Sequence, residues 1–313
     1  MPYDSIINRT DAAALMPEEV SAAMMTNLST RSAALQLGTR IAVGRAQTRF
    51  PVLSALPSAY WVDGDTGQKQ TTDAAWDNKY INISEIACMV PVPDAVIADA
   101  ANDIWAMVSG SVEAEFARVL DAAVFFGTNA PSVQPDDIVT AATAASNTVT
   151  QGANAAAAGG IAEDINDLIA TIEADGYDPN GFFANRTFRQ YLRGGRDSTG
   201  QRLLDINGQV DSVEGLPVAY GAPGLWPTGG GSAQLIAGDF TKLVIGLRQD
   251  MTFQIFSEGV IQDNTGAIRY NLMQQDMKAL RCVMRVGWQI ANVLTYEQSV
   301  EANRYPFAVL ESD

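Results

Sequence analysis

FPVLSALPSAYWVDGDTGQKQTTDAAWDNKYINISEIACMVPVP, residues 50–93, passes directly into DAVIADAANDIWAMVSGSVEAEFARVLDAAVFFG, residues 94–127. The first stretch reads as two extended arms around a polar, Gly-containing tip. The second reads as one uninterrupted amphipathic helix beginning after Pro91 and Pro93, with Asp94 as its N-cap. Ile97, Ile104, Trp105, Val108, Val112, Phe116, Val119, Leu120 and Ala123 recur at steps of three and four, the helical period. At 1.5 Å per residue the rod would be about 50 Å long, and Gly127 supplies a C-cap. A long polar hairpin has too little core to stand alone in water. It needs another surface, and the remaining sequence offers none of obvious fit. Assembly with further copies of the chain is therefore the first functional expectation.

Outward from this stretch, the N-terminal side is short and amphipathic. Residues 16–41 read MPEEVSAAMMTNLSTRSAALQLGTRI. Pro17 with Glu18 and Glu19 behind it is a favourable helix start. Val20, Met24, Leu28, Leu35 and Leu37 put apolar groups roughly on one side, so the arm must borrow a core from elsewhere. At the hairpin tip, Trp61 and Trp76 flank Asp63-Gly64-Asp65-Thr66-Gly67, which is turn chemistry, and Lys69 follows. The run begins like a calcium loop, but its twelfth position is Ala74 where a bidentate Glu is needed, so a plain turn is expected.

On the C-terminal side, residues 128–160 are small, polar and Ala-rich and read as a loop. Residues 161–175 read as a helix with Ile161, Ile165, Leu168, Ile169 and Ile172 on one face and Gly176 as cap. GFFANRTFRQYLRGG reads as a strand then a helix ending at Gly194-Gly195. After Gly215, GLPVAYG, AQLIAG, KLVIGL and MTFQIF read as short strands. Leu280, Cys282, Met284, Val286, Trp288 and Ile290 occupy every second position, with Arg281, Arg285 and Gln289 between them. That is the pattern of a half-buried antiparallel strand. Arg281 and Arg285 are then candidates for ion pairs, either with acids of the same chain such as Glu85 or across a subunit boundary.

Composition narrows the function classes. The chain has 313 residues, 47% of them hydrophobic, which is enough for a substantial core. Charged residues make up 18%, below the usual quarter or so of a soluble protein, as expected if much surface is covered by partners. Net charge is -16, which disfavours the phosphate neutralisation on which non-specific DNA binding rests. There is no histidine, which removes Ser-His-Asp triads, Cys-His pairs and His-ligated zinc. Cys88 and Cys282 lie far apart in apolar runs and read as small buried hydrophobes. No Walker loop, nucleophile elbow or paired-carboxylate pattern is present. Neither a signal peptide nor an apolar run of about 18 residues is visible. No catalytic residue, cofactor or metal site is assigned.

The order of these pieces resembles the major capsid proteins of tailed double-stranded DNA phages, the Hong Kong 97-like fold. Pro17-Glu18-Glu19-Val20 followed by Ser32-Ala33-Ala34-Leu35 resembles the family's N-arm. Pro51-Val52-Leu53 and Ala59-Tyr60-Trp61-Val62 with the polar tip resemble its E-loop. Ile81 to Pro93, leading into a helix that ends at Phe126-Gly127, is similar to its spine-helix region. Arg196-Asp197-Ser198-Thr199-Gly200 with Leu203-Leu204, then Gly215-Leu216-Pro217-Val218, resemble its axial domain. Ala237-Gly238-Asp239-Phe240 with Val244-Ile245-Gly246-Leu247-Arg248 is the most recognisable later signature, and Arg285-Val286-Gly287-Trp288 closes the peripheral domain.

The resemblance implies an α+β fold: an N-arm at 1–48, the E-loop and first peripheral strand at 49–93, and the spine helix at 94–127. A mainly axial domain at 128–275 follows, then a peripheral strand and tail at 276–313. It implies a non-enzymatic shell protein of the virion, assembled in the host cytoplasm as hexamers and pentamers around DNA that it does not bind sequence-specifically. Implied partners are a separate scaffolding protein, because the N-arm begins almost at once, a portal protein and a decoration protein; no membrane is involved. Inter-subunit contacts are expected at Val20, Met24, Leu28, Trp61, Asp65, Lys69, Trp76, Arg281 and Arg285. The family's type member cross-links subunits through an E-loop lysine and a distant asparagine. Lys69 is near the tip, but no matching asparagine is evident, so no cross-link is expected. The alternative is an encapsulin, a cellular compartment built on the same fold.

Overall fold

A computed structural model describes residues 32–62, 67–100, 103–155, 158–196, 212–229 and 231–312. The described residues fall into two compact units: those within 84–117 and 247–286 form one, and those within 32–83, 118–246 and 287–312 the other. The chain passes between them within three long elements: helix α3 (Ile104–Phe126) and strands β10 (Leu243–Phe256) and β13 (Met277–Ile290).

In the first unit, β13 runs antiparallel to β4 (Ser84–Pro93), from Met277 opposite Pro93 to Val286 opposite Ser84. β10 lies on the other side of β13. The strict alternation of β13 holds: Leu280, Cys282, Met284, Val286, Trp288 and Ile290 are buried, while Arg281 is exposed and Arg285 half-buried. Val92, Val96 and Ile104 form a small core with Val90, Ile97, Trp105 and Val108 against it. A hairpin of β11 (Val260–Gln262) and β12 (Ile268–Asn271) closes through Asp263. Its carboxylate accepts from Thr265 N and Oγ1, Ala267 N and Arg269 Nε.

The helix expected over 94–127 is interrupted. Asp94–Asp99 is a separate short helix, α2, which Ala100 ends in an extended conformation. Asp94 is its first residue rather than its cap; that position is Pro93, which makes no side-chain cap bond. The physical reason lies at Asp103, whose carboxylate accepts from Trp105 N at 2.9 Å. A short acidic side chain that captures a backbone N–H two residues on starts a new helix instead of continuing the old one. KLVIGL and MTFQIF, read as two strands, are one 14-residue strand, β10.

In the second unit a six-stranded mixed sheet runs β5–β14–β9–β6–β8–β7, where β5 is Thr148–Thr150, β14 Phe307–Glu311, β9 Ala233–Gly238, β6 Gly181–Ala184, β8 Leu216–Tyr220 and β7 Ser212–Val213. β14 is parallel to β5 and antiparallel to β9. Helix α5 (Ile161–Ala174) buries Ile165, Leu168 and Ile172 in a core shared with Phe182, Leu235, Ala237, Ala308 and Leu310. Phe125, near the end of α3, stacks on Phe183 at 4.2 Å, and Trp226 stacks on Phe183 at 5.0 Å. Helix α6 (Arg189–Gly194) ends at Gly195 as expected.

Two segments differ from their sequence reading. Residues 307–311, read as a tail, are a strand inside the sheet: Phe307, Ala308, Val309 and Leu310 are fully buried. A strand covered on both faces shows an unbroken apolar run and not an alternation. The Ala-rich stretch read as a loop contains helix α4 (Ile138–Ala144), whose N-cap Asp137 accepts from Thr140 N. Ile138 and Ala142 are its buried residues.

Candidate assembly surfaces

The hairpin is present: β2 (Gln47–Ala55) pairs antiparallel with β3 (Ala75–Asn82), from Gln47 opposite Asn82 to Leu53 opposite Trp76. Among the described residues of these two strands only Val52 and Ile81 are buried. Beyond the strands the arms stay together through side chains. Thr72 Oγ1 accepts from Ser58 N at 2.8 Å, and the Tyr60 hydroxyl bonds both the N–H and the carbonyl of Gln70.

Trp61 is 100% exposed and Trp76 66%, with Tyr60 and Val62 also exposed. Lys69 is exposed as well. Asp65, Val20, Met24 and Leu28 lie outside the described residues. A fully bare indole is costly, because tryptophan carries the largest apolar surface of any side chain. At the root of the hairpin, Lys79 Nζ meets Glu301 Oε1 at 2.6 Å. A Cβ at Gly287 would collide with the Asn82 carbonyl oxygen, so only glycine lets the two backbones approach so closely there.

Arg281 and Arg285 sit on one face of the first unit's sheet, as the alternation predicts. Arg285 Nε donates to Glu85 Oε2 at 2.9 Å, directly opposite in the β4–β13 register. The within-chain partner is thus the one this structure holds. Arg281 donates to Gln254 Oε1 at 2.5 Å and lies 4.8 Å from the centroid of the Phe256 ring. Arg281, Arg285, Glu85 and Gln254, with Met89 and Thr252, line a groove of about 390 Å³. Phe253, Ile255, Val260, Ile268 and Met273 add exposed apolar groups in the same unit.

One polar site in the second unit escaped the sequence reading. Helix α1 (Ala33–Leu37) has Ser32 as N-cap, which accepts from Leu35 N. The carboxylate of Asp121 on α3, itself only 1% exposed, accepts from Ser32 Oγ, Ala33 N and Ala34 N at 2.5, 2.9 and 3.1 Å. It meets the orphan donors that every helix N-terminus presents. Burial pushes the Asp121 carboxyl up to about 6, against the pull of its three donors. Ser32 before an apolar run was readable as a cap. Its partner 89 residues away was not.

Among the described residues no cluster of three or more His, Cys, Asp or Glu is placed to hold a metal, and no helix is long and apolar enough to cross a membrane. The large features are the bare aromatic hairpin and the open sheet face.

Residues 12–293 match the model of the Phage capsid family. The chain belongs to that family. It is 25% identical over 305 residues to the major capsid protein of Staphylococcus phage 80alpha, covering 96% of this chain and 89% of the relative. A solved structure from Microbacterium phage Oxtober96 superposes with a TM-score of 0.84 at 35% identity, covering 99% of this chain and 100% of that one. A structure from Mycobacterium phage Bobi gives 0.83 at 27% identity, with 99% of each chain covered. The fold is the Hong Kong 97-like capsid fold, and the protein is a structural subunit of a phage capsid shell. The encapsulin alternative is not favoured. Self-assembly follows for a capsid protein, and its place is the capsid of the virion.

Proposed function

We propose that this capsid protein builds a closed icosahedral or prolate shell around double-stranded DNA, with the β2–β3 hairpin as the arm that joins one subunit to the next. The observation that carries this reading is Trp61, fully exposed at the end of a hairpin with almost no core of its own. An exposed aromatic cluster of this kind marks an interaction surface. The hairpin corresponds to the family's E-loop, α3 to its spine helix, and the open β4–β13–β10 face to part of its peripheral domain. Residues 1–48 act as an N-arm whose anchors are Val20, Met24 and Leu28. Asp65, Lys69 and Trp76 join Trp61 in the hairpin contact, and Arg281 and Arg285 line a second contact surface.

On this reading hexamers and pentamers form in the host cytoplasm with help from a separate scaffolding protein. A portal protein occupies one vertex, and a decoration protein can sit on the finished surface. The chain performs no catalysis. Its net charge of -16 keeps packaged DNA from adhering to the wall. The test is expression of the full chain, alone and with a scaffolding protein, followed by negative-stain electron microscopy. Closed shells are expected, and duplex DNA added at about 0.15 M salt should stay unbound. Uniform monomers in both preparations would refute the reading.

A further inference from the structure

The chain has only two cysteines, 194 positions apart, and the fold sets them face to face. Cys88 on β4 is the direct register partner of Cys282 on β13. Directly opposed residues in an antiparallel ladder project from the same side of the sheet, with Cα atoms about 4.5–5.5 Å apart. That spacing lies within the range a disulfide spans, roughly 4.4–6.8 Å. The flanking pairs on the same side, Leu280 with Val90 and Met284 with Ile86, are apolar, so the thiols have each other as their polar contact. Both are free thiols in this structure; Cys282 is fully buried, whereas Cys88 is half-buried, and both project from the sheet face opposite Arg281 and Arg285.

We propose that Cys88 and Cys282 form a two-thiol oxidation site, which closes to an intrachain cross-strand disulfide on meeting a small-molecule disulfide such as oxidised glutathione. The accessible Cys88 reacts first. Its thiolate attacks one sulfur of the oxidant and releases one glutathione thiolate, leaving a mixed disulfide on Cys88. The Cys282 thiolate then attacks Cys88 Sγ and releases the second glutathione. Two protein thiols are oxidised, one external disulfide is reduced to two thiols, and the two protons lost by the cysteines go to solvent and the departing thiolates.

Burial slows the chemistry: it raises the Cys88 thiol and pushes Cys282 up to about 12. Because the thiolate is the nucleophile, closure should accelerate roughly tenfold per pH unit around neutrality. The bond would pin the strand that leads into α2 and α3 to the strand that returns from the β11–β12 hairpin.

The test uses purified full-length protein, folded, with oxidised glutathione at about pH 8.5, and a urea-unfolded sample as the reactivity control. Non-reducing peptide mapping should show the Cys88 peptide joined to the Cys282 peptide, with an intact mass lower by two hydrogens and no covalent dimer. Cys282→Ser should trap glutathione on Cys88. The thermal midpoint should rise by about 5 °C on closure and fall back on reduction, with no rise in Cys88→Ser. The proposal is overturned if wild-type protein retains a glutathione adduct on Cys88, if it joins chains through either thiol, or if both thiols stay free while the unfolded control reacts.

Discussion

Deleting residues 62–74 should leave a folded chain that forms no closed shells. The deletion removes the polar tip and its approach to β3, and it spares Val52 and Ile81, the only buried residues among the described positions of the two strands. The six-stranded sheet and the β4–β13 ladder make no use of the removed residues. Stability of the isolated subunit should therefore change by less than about 1 kcal/mol, the size of an ordinary surface change. Assembly should change completely. Obligate interfaces bury on the order of 2,000 Å² or more, and in a closed symmetric shell each loss is repeated at every equivalent contact. Far-UV circular dichroism would report the fold and sedimentation velocity the loss of shells. Normal shells from the deletion would show that the hairpin is not the joining arm.

Asp121→Ala should be strongly destabilising. Its carboxylate serves Ser32 Oγ, Ala33 N and Ala34 N in a buried setting. Truncation strands these donors, and each buried donor without a partner costs about 1–3 kcal/mol. A net loss of about 3 kcal/mol is expected near pH 5, with α1 released from α3. The pH dependence has a definite sign. The folded carboxyl titrates at about 6, above its ordinary value of 3.8, so the fold holds the proton more tightly than the unfolded chain. Its stabilising effect is fully present below pH 3.8 and is lost as pH rises through 6. Wild type should thus gain stability relative to Asp121→Asn as pH is lowered from 7 to 4.5. Urea titrations of both proteins across that range would show it; an unchanged difference would place the carboxyl in an ordinary environment.

Several elements were legible because one physical pattern dominated each. β13 announced itself by six consecutive alternating apolar positions, and α5 by its single apolar face and closing glycine. The hairpin was legible from turn residues between extended arms. Failures came where local chemistry overrode a continuing pattern. The helical period runs through Ile97 and Ile104 without a break, yet the Asp103 carboxylate restarts the helix. Phe307–Leu310 is too short a run to distinguish strand from tail when both faces are covered. α4 hid in an alanine-rich stretch because its one clear signal is a side-chain cap, Asp137.

The candidate contact residues divide in the same way. Exposure of Trp61 and Lys69 follows from their place beside a polar tip, and that of Trp76 from a two-stranded ladder with little core of its own. Arg285 met Glu85 within the chain because the β4–β13 register sets them opposite each other. Register is a tertiary fact that one sequence does not specify, and it is also why the opposition of Cys88 and Cys282 was not readable. The same holds for Asp121 and Ser32, whose contact spans 89 positions.

The most direct test of the account is an electron cryo-microscopy reconstruction of particles formed by the full chain. Closed shells are expected, with the Trp61 and Trp76 indoles packed against a neighbouring copy. Shells in which both indoles face solvent would contradict it.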